Sequence, residues 1–295
     1  MKNLSARIAR LWPALTVAAL LLSTASAFAQ GLNWEGQTGA FVTPFAYTSA
    51  SPANKFGRPQ VAFHFLNGGE VVGNDFQISI TEGFLKRVEV GYTRALHAQG
   101  GNTTLAPLFD NGFNVFHGKV TFVDENAGKT KWVPALAVGF VARTQVRRVG
   151  GVLTAKDTAN GDLYLVGTKV ISQVSKHLPI LISGGIKGTN ASLLGISGNA
   201  PGWEARGFGA VAFIVSGPAK SKIALGSEVA QQPRRIKDLP GASLPTTLTY
   251  FARLIPNSEK ALNLDFGIAQ AAGRVLPGAD VQARAQFAFG ISYRF

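Results

Sequence analysis

The sequence predicts a closed antiparallel transmembrane β-barrel of about twelve strands, on three observations. Mean hydropathy is positive at +0.15, yet after Gln30 no apolar run approaches the ~20 residues that a membrane-crossing helix needs. The hydrophobic period is two rather than 3.6. Long and short connections alternate between the strand-like segments, as in barrels with short periplasmic turns and longer outer loops. In hydrocarbon only helices and closed barrels satisfy every backbone N–H and C=O. With helices excluded, the barrel remains.

The N-terminus reads as an export signal. Lys2, Arg7 and Arg10 form a positive start, Leu11 to Leu22 is apolar, and Ala27-Phe28-Ala29 suits cleavage before Gln30. The apolar stretch is too short for a spanning anchor. Residues 1–29 are therefore expected to be removed. The mature chain then carries 26 Lys+Arg against 16 Asp+Glu, a net charge of +10. Cysteine is absent, so neither a disulfide framework nor lipidation on cysteine is available. Residues 30–57 follow, including Gly31-Leu32-Asn33-Trp34-Glu35-Gly36 and Thr43-Pro44. They read as a plug inside the barrel, or as an extra strand or periplasmic tail. Residues 58–295 form the barrel.

The last strand shows the alternation best. Phe287, Phe289, Ile291, Tyr293 and Phe295 share one face; Arg284, Gln286, Ala288, Gly290, Ser292 and Arg294 share the other. Aromatics toward lipid and small or polar residues toward the lumen is the expected barrel pattern. The same reading sets Val61, Phe63 and Phe65 against Ala62 and His64, and Phe76, Ile78 and Ile80 against Gln77, Ser79 and Thr81. Val88, Val90 and Tyr92 oppose Arg87, Glu89 and Thr93. Phe116, Val120 and Phe122 oppose His117, Lys119 and Thr121. Trp132, Leu136, Val138 and Phe140 oppose Ala137 and Arg143. Tyr164, Val166 and Val170 are set outward against Gly167 and Lys169, though Leu165 spoils the polar face. Ile180, Ile182 and Ile186 oppose Ser183 and Lys187. Glu204 to Val215 is a strand of ambiguous register. Ile223 and Leu225 oppose Lys222 and Glu228; Leu248, Tyr250 and Leu254 oppose Thr249 and Arg253; Leu262, Leu264, Phe266 and Ile268 oppose Asn263 and Asp265.

The connections supply a second test. The odd ones include His97 to Gly112, Gln145 to Gly161, Gly188 to Gly202 and Gln232 to Leu244. The even ones, such as Glu82 to Leu85 and Gly217 to Ser221, are shorter. Trp132, Trp203, Tyr250 and Tyr293 fall near strand ends, where barrels carry aromatic girdles.

Motifs that could carry chemistry are weak. Asn126-Ala127-Gly128-Lys129-Thr130 resembles the end of a phosphate-binding loop, but the required earlier glycine is Val123 and no helix follows. Gly207-Phe208-Gly209 lies within a strand, where glycine serves bending or close packing. The four histidines, His64, His97, His117 and His177, lack metal-ligand spacing. None has a serine two residues on, as a barrel phospholipase would need. A rim hydrolase would draw on His97 with Asp110, Asp157, Asp238 or Asp280, but outer loops are commonly polar. No metal, cofactor or catalytic residue is expected, and the chain is not read as an enzyme.

The charges matter more. A lipid-facing Lys or Arg costs ~2–4 kcal/mol near the midplane, so strand charges must face inward or sit at the rims. The pore-lining candidates are Arg87, Glu89, Lys119, Arg143, Lys169, Lys187, Lys222, Glu228, Arg253, Asp265, Arg284 and Arg294. Cations outnumber acids in this set, and a cationic lumen concentrates anions.

The ending Gly290-Ile291-Ser292-Tyr293-Arg294-Phe295 resembles the C-terminal signal by which the barrel assembly machinery recognises its clients. The chain from Gln30 onward also resembles a family of proteobacterial outer-membrane proteins classed as a domain of unknown function. Gly31–Tyr47, Asp110–Val120, Ala230–Arg234, Pro245–Phe251 and Ile291–Phe295 carry that resemblance. It implies location and fold, and no activity. The expected function is a pore or small-solute channel favouring anions, in the outer membrane of a Gram-negative bacterium. The alternatives are a non-transporting structural or interaction barrel, or an outer-membrane hydrolase. Expected partners are outer-membrane lipid, the assembly machinery through Phe295 and an anionic solute; nucleic acid is not expected after export.

Overall fold

The computed structural model describes residues 31–109, 112–147, 157–172, 178–237, 241, 243–257, 262–270, 274–276, 279–280 and 286–295. Residues 1–29, Asp110, His177, Asp238 and Arg284 lie outside that set. The strands in chain order are β1 (Gln60–Asn67), β2 (Asn74–Phe84), β3 (Val88–Ala98), β4 (Asn114–Val123), β5 (Ala135–Arg147), β6 (Asp157–Ile171) and β7 (Ile180–Ala191). Then come β8 (Asn199–Ser216), β9 (Lys222–Ala230), β10 (Thr247–Ile255), β11 (Leu262–Gln270), β12 (Arg274–Leu276), β13 (Ala279–Asp280) and β14 (Gln286–Arg294).

Twelve of these close into one antiparallel ring, β1 to β11 with β14, and β12 and β13 form a separate small hairpin. The seam joins β1 to β14, from Gln60 opposite Arg294 to Leu66 opposite Ala288. Closure leaves no sheet edge, the condition for placing strands in lipid. An even strand number brings both ends of the barrel domain to one mouth, where the Phe295 amide donates to the Pro59 carbonyl at 3.2 Å. The β2–β3 and β8–β9 turns lie at this mouth. In barrels of this class the short-turn end faces the periplasm.

The outer surface carries the apolar residues that the alternation assigns to it. Phe63, Ile78, Ile80, Phe116, Phe140, Ile182, Leu225, Phe266, Phe287 and Ile291 are all exposed. Gln77, Ser79, Thr81, Lys119, Ser183, Asn263 and Ser292 on the opposite parity are buried. The small inward residues Ala137, Ala212, Ala224 and Ala288 leave room for what fills the lumen.

Four expectations are corrected. Strand β6 has the opposite register: Tyr164 and Val166 point inward and are buried, while Leu163 and Leu165 are exposed. The Tyr164 ring finds Phe208 of β8 at 6.4 Å inside the barrel, so apolar packing within the lumen outweighs the polar look of Lys169. That lysine therefore does not line the pore. Its amine reaches to the rim, 3.0 Å from Glu125 and 2.6 Å from the Asn126 side-chain oxygen, as a long stem allows. The connection expected over Gly188 to Gly202 is mostly strand, leaving only 192–198. Ser192 donates to the Gly198 carbonyl at 3.0 Å across it. Trp132 lies in the β4–β5 connection, before β5 begins, and is exposed. A single helical turn, α1 (Gly69–Val72), joins β1 to β2.

Candidate functional site

Inside the ring lies the chain's own segment from Gly31 to Ser49. Leu32, Asn33, Ala40, Phe45 and Ser49 are fully buried. Its shape begins locally. The Asn33 side-chain oxygen accepts from the Glu35 and Gln37 amides at 3.1 and 2.9 Å, and its amide donates to the Val42 carbonyl at 2.9 Å. Asparagine suits this because its side chain copies a backbone turn. Gly36 adopts φ +86°, and a Cβ there would meet Thr93 of β3. Apolar packing adds to this, with Trp34, Phe41 and Phe45 in one cluster with Leu181, Ala212, Ala224, Phe251 and Ala288 of the wall.

Four charged groups of the wall hold the segment. Glu89 on β3 accepts from the Thr38 amide at 3.0 Å, from the Thr38 hydroxyl and from the Ser49 amide at 2.7 Å. Lys119 on β4 pairs with Glu89 at 3.0 Å and donates to the Thr38 carbonyl at 3.0 Å. Glu228 on β9 is enclosed by consecutive amides: Phe41 at 2.9 Å, Val42 at 3.0 Å and Thr43 at 2.6 Å. The Thr43 hydroxyl joins them at 2.7 Å. Successive N–H groups converging on one carboxylate form an anion nest, here built by the lumen segment around the wall's charge. Arg253 on β10 forks onto Asp265 of β11 at 2.6 and 3.1 Å. Its remaining donors reach the Gly39 and Ala40 carbonyls at 2.8 and 3.1 Å.

A third wall cation, Arg143 on β5, reverses the polarity. The segment supplies the acid, Glu35, at 2.5 Å, and the wall supplies Asp162 of β6 at 2.9 Å. Lys187 stands 3.6 Å from the same Asp162. Burial pushes the Glu35 carboxyl above its usual range, with Arg143 pulling against it. Farther along, Tyr47 donates to Glu125 at 2.9 Å. Burial and the Glu125 charge push the Tyr47 phenol up, which keeps it a donor.

Of the twelve pore-lining candidates, Glu89, Lys119, Arg143, Lys187, Lys222, Glu228, Arg253 and Asp265 sit on the inward parity of their strands. Arg87 sits in the β2–β3 turn paired with Asp124, half exposed. Arg294 ends β14 at the chain-end mouth, and Arg284 lies outside the described residues. The sequence reading missed Asp162, which the inverted β6 register hid, and Asp75 and Glu35. Asp75 pairs with His97 at 3.0 Å. The rim histidine thus has a partner other than the acids first considered; the side chains of Asp157 and Asp280 are not described. Among the described residues no group of three His, Asp or Glu side chains is placed to hold a metal.

A closed ring with an apolar exterior and a polar, ion-paired interior defines a transmembrane β-barrel of the outer-membrane class. Residues 31–266 match the family described as "Protein of unknown function (DUF3034)", and the chain belongs to it. No curated protein matches the sequence. Among solved structures, the COG4313 outer membrane channel from Pseudomonas putida F1 is 8% identical, over 86% of this chain and 100% of that one, with a TM-score of 0.49. The KdgM porin, solved with disordered oligogalacturonate, is 8% identical over 80% and 99%, with a TM-score of 0.44. The NanC porin is 9% identical over 80% and 98%, with a TM-score of 0.44.

Proposed function

We propose that the protein is an outer-membrane channel for small solutes whose lumen is closed, in the state described here, by residues 31–49 acting as a plug. One observation carries this: wall charges from β3, β4, β5, β9 and β10 converge on that one segment through hydrogen bonds and ion pairs. Water can replace such contacts when the segment moves, at a net cost of about 0.5–1.5 kcal/mol for each ordinary hydrogen bond. Residues 1–29 are removed on export, which frees Gln30 and leaves the plug directly upstream of β1. The terminal Phe295 serves as the handle for the assembly machinery.

The anion preference is the finer part of the proposal, and its support has moved. In mid-lumen Lys119, Arg143 and Arg253 are each matched by an acid, so the bare wall is close to neutral there. Cations in excess gather instead at the chain-end mouth, where Lys55, Arg58 and Arg294 line one cavity. Selectivity for anions would arise at that entrance.

The test is single-channel recording in planar bilayers, comparing the full chain with a variant lacking residues 31–49. The expected result is a silent full chain and a conducting, weakly anion-selective deletion. A deletion that folds, as judged by heat-modifiable electrophoresis, and still does not conduct would remove the channel reading. It would favour the second one, a non-transporting interaction barrel. That reading draws on the tight filling: two interior cavities beside the segment measure only about 20 and 60 Å³.

A further inference from the structure

At the chain-end mouth a cavity of about 1060 Å³ opens between the approach to β1 and the end of β14. Its polar wall is Ser51, Lys55, Arg58 and Arg294, and among the described residues no acidic side chain lines it. None of the three cations has an ion-pair partner among the described residues. The Arg294 Nη1 is buried with no hydrogen-bond partner among the described residues. A guanidinium nitrogen stripped of water and left without an acceptor is costly, so the geometry is that of a fork awaiting an oxyanion. The other wall is different in kind. Phe56, Tyr293 and Phe295 are 64%, 44% and 58% exposed, and Tyr293 packs edge-on against Phe295 at 5.3 Å. Tyr293 belongs to the lipid-facing row of β14.

We propose that this cavity binds the phosphate headgroup of a membrane phospholipid, with Arg58, Arg294 and Lys55 on the phosphate and the acyl chains along Phe56, Tyr293 and Phe295. Arginine suits phosphate because its planar fork can donate two parallel hydrogen bonds. Unpaired cations inside one cavity with lipid-facing aromatics select an amphiphile over a freely dissolved anion. The place is also specific: the cavity is walled by the approach to β1, by Leu262 at the start of β11 and by the end of β14, so a bound lipid would tie the segment before β1 to β14.

Native mass spectrometry of the purified full-length protein in uncharged detergent tests this. The probes are dioleoyl phosphatidylglycerol and dioleoylglycerol, which share tails and differ in the phosphate headgroup. Selective retention of the phospholipid is expected, weakened about tenfold or more in the double variant Lys55→Glu, Arg58→Glu. Both positions precede β1, so the barrel is expected to remain folded in that variant; Arg294→Gln, inside β14, is the secondary test. Equal retention of both lipids would overturn the proposal, as would undiminished retention in the folded double variant. Displacement of the lipid by equimolar glycerol phosphate would also overturn it, since the site would then read a soluble phosphate. None of these outcomes depends on whether the barrel conducts.

Discussion

In mid-lumen Lys119, Arg143 and Arg253 each meet a wall carboxylate within 3.0 Å. At the chain-end mouth Lys55, Arg58 and Arg294 meet none among the described residues. The same residue types thus serve two different ends. Inside, where water is scarce, an unpaired charge costs several kcal/mol and pairing is enforced. At the mouth Lys55 and Arg58 are exposed and solvent carries much of their cost, which leaves the buried Arg294 Nη1 as the one group there without that relief among the described residues. A net charge of +13 for the whole chain therefore says little about the potential inside the barrel.

That contrast can be broken or sharpened by experiment. The largest effect is expected from removing residues 31–49, which should turn a silent barrel into a conducting one. Next is Arg253→Ala, which leaves Asp265 buried without its partner and costs about 3–5 kcal/mol. Unfolding followed by heat-modifiable electrophoresis should show a lower transition, and an unchanged one would mean that water fills the gap. Glu228→Gln removes the charge at the centre of the Phe41–Thr43 nest and should weaken seating of the segment by about 1–3 kcal/mol. The chain has no cysteine, so Val42→Cys reports this directly: labelling should speed up in the Glu228→Gln background while the barrel stays folded. The smallest effect is expected at the mouth. In the deletion variant, Lys55→Glu with Arg58→Glu should reduce anion preference about twofold at 0.1 M salt and little at 1 M, where the screening length falls to ~3 Å. Selectivity that ignores these two residues would place its source deeper in the wall.

Much of the fold was legible because a strand in lipid obeys a rule of two. Phe287, Phe289, Ile291 and Tyr293 could be assigned outward from residue type alone. The rule failed at β6, where the inward row Tyr164, Val166 and Val170 is as apolar as the outward row. This lumen is not uniformly wet, and Tyr164 packs against another ring inside it. The site was half legible. The inward positions of Glu89, Lys119, Arg143, Glu228 and Arg253 follow from parity. Their partners do not, because Thr38, Gly39 and Phe41 meet them through backbone atoms that no residue type announces. Asp162 was hidden behind the wrong register, and the charge balance of the lumen went with it.

The nest around Glu228 joins residues separated by 187 positions, and the Arg253 contact to Gly39 spans 214. Residues 31–49 therefore find part of their seat on strands made near the end of the chain. Loop closure on that scale is slow, and the groups that receive the segment come from opposite sides of the ring. The segment is fully seated only once β9 and β10 stand in the same ring as β3, β4 and β5. A barrel still forming therefore holds residues 31–49 by the contacts of β3, β4 and β5 alone until the late strands arrive.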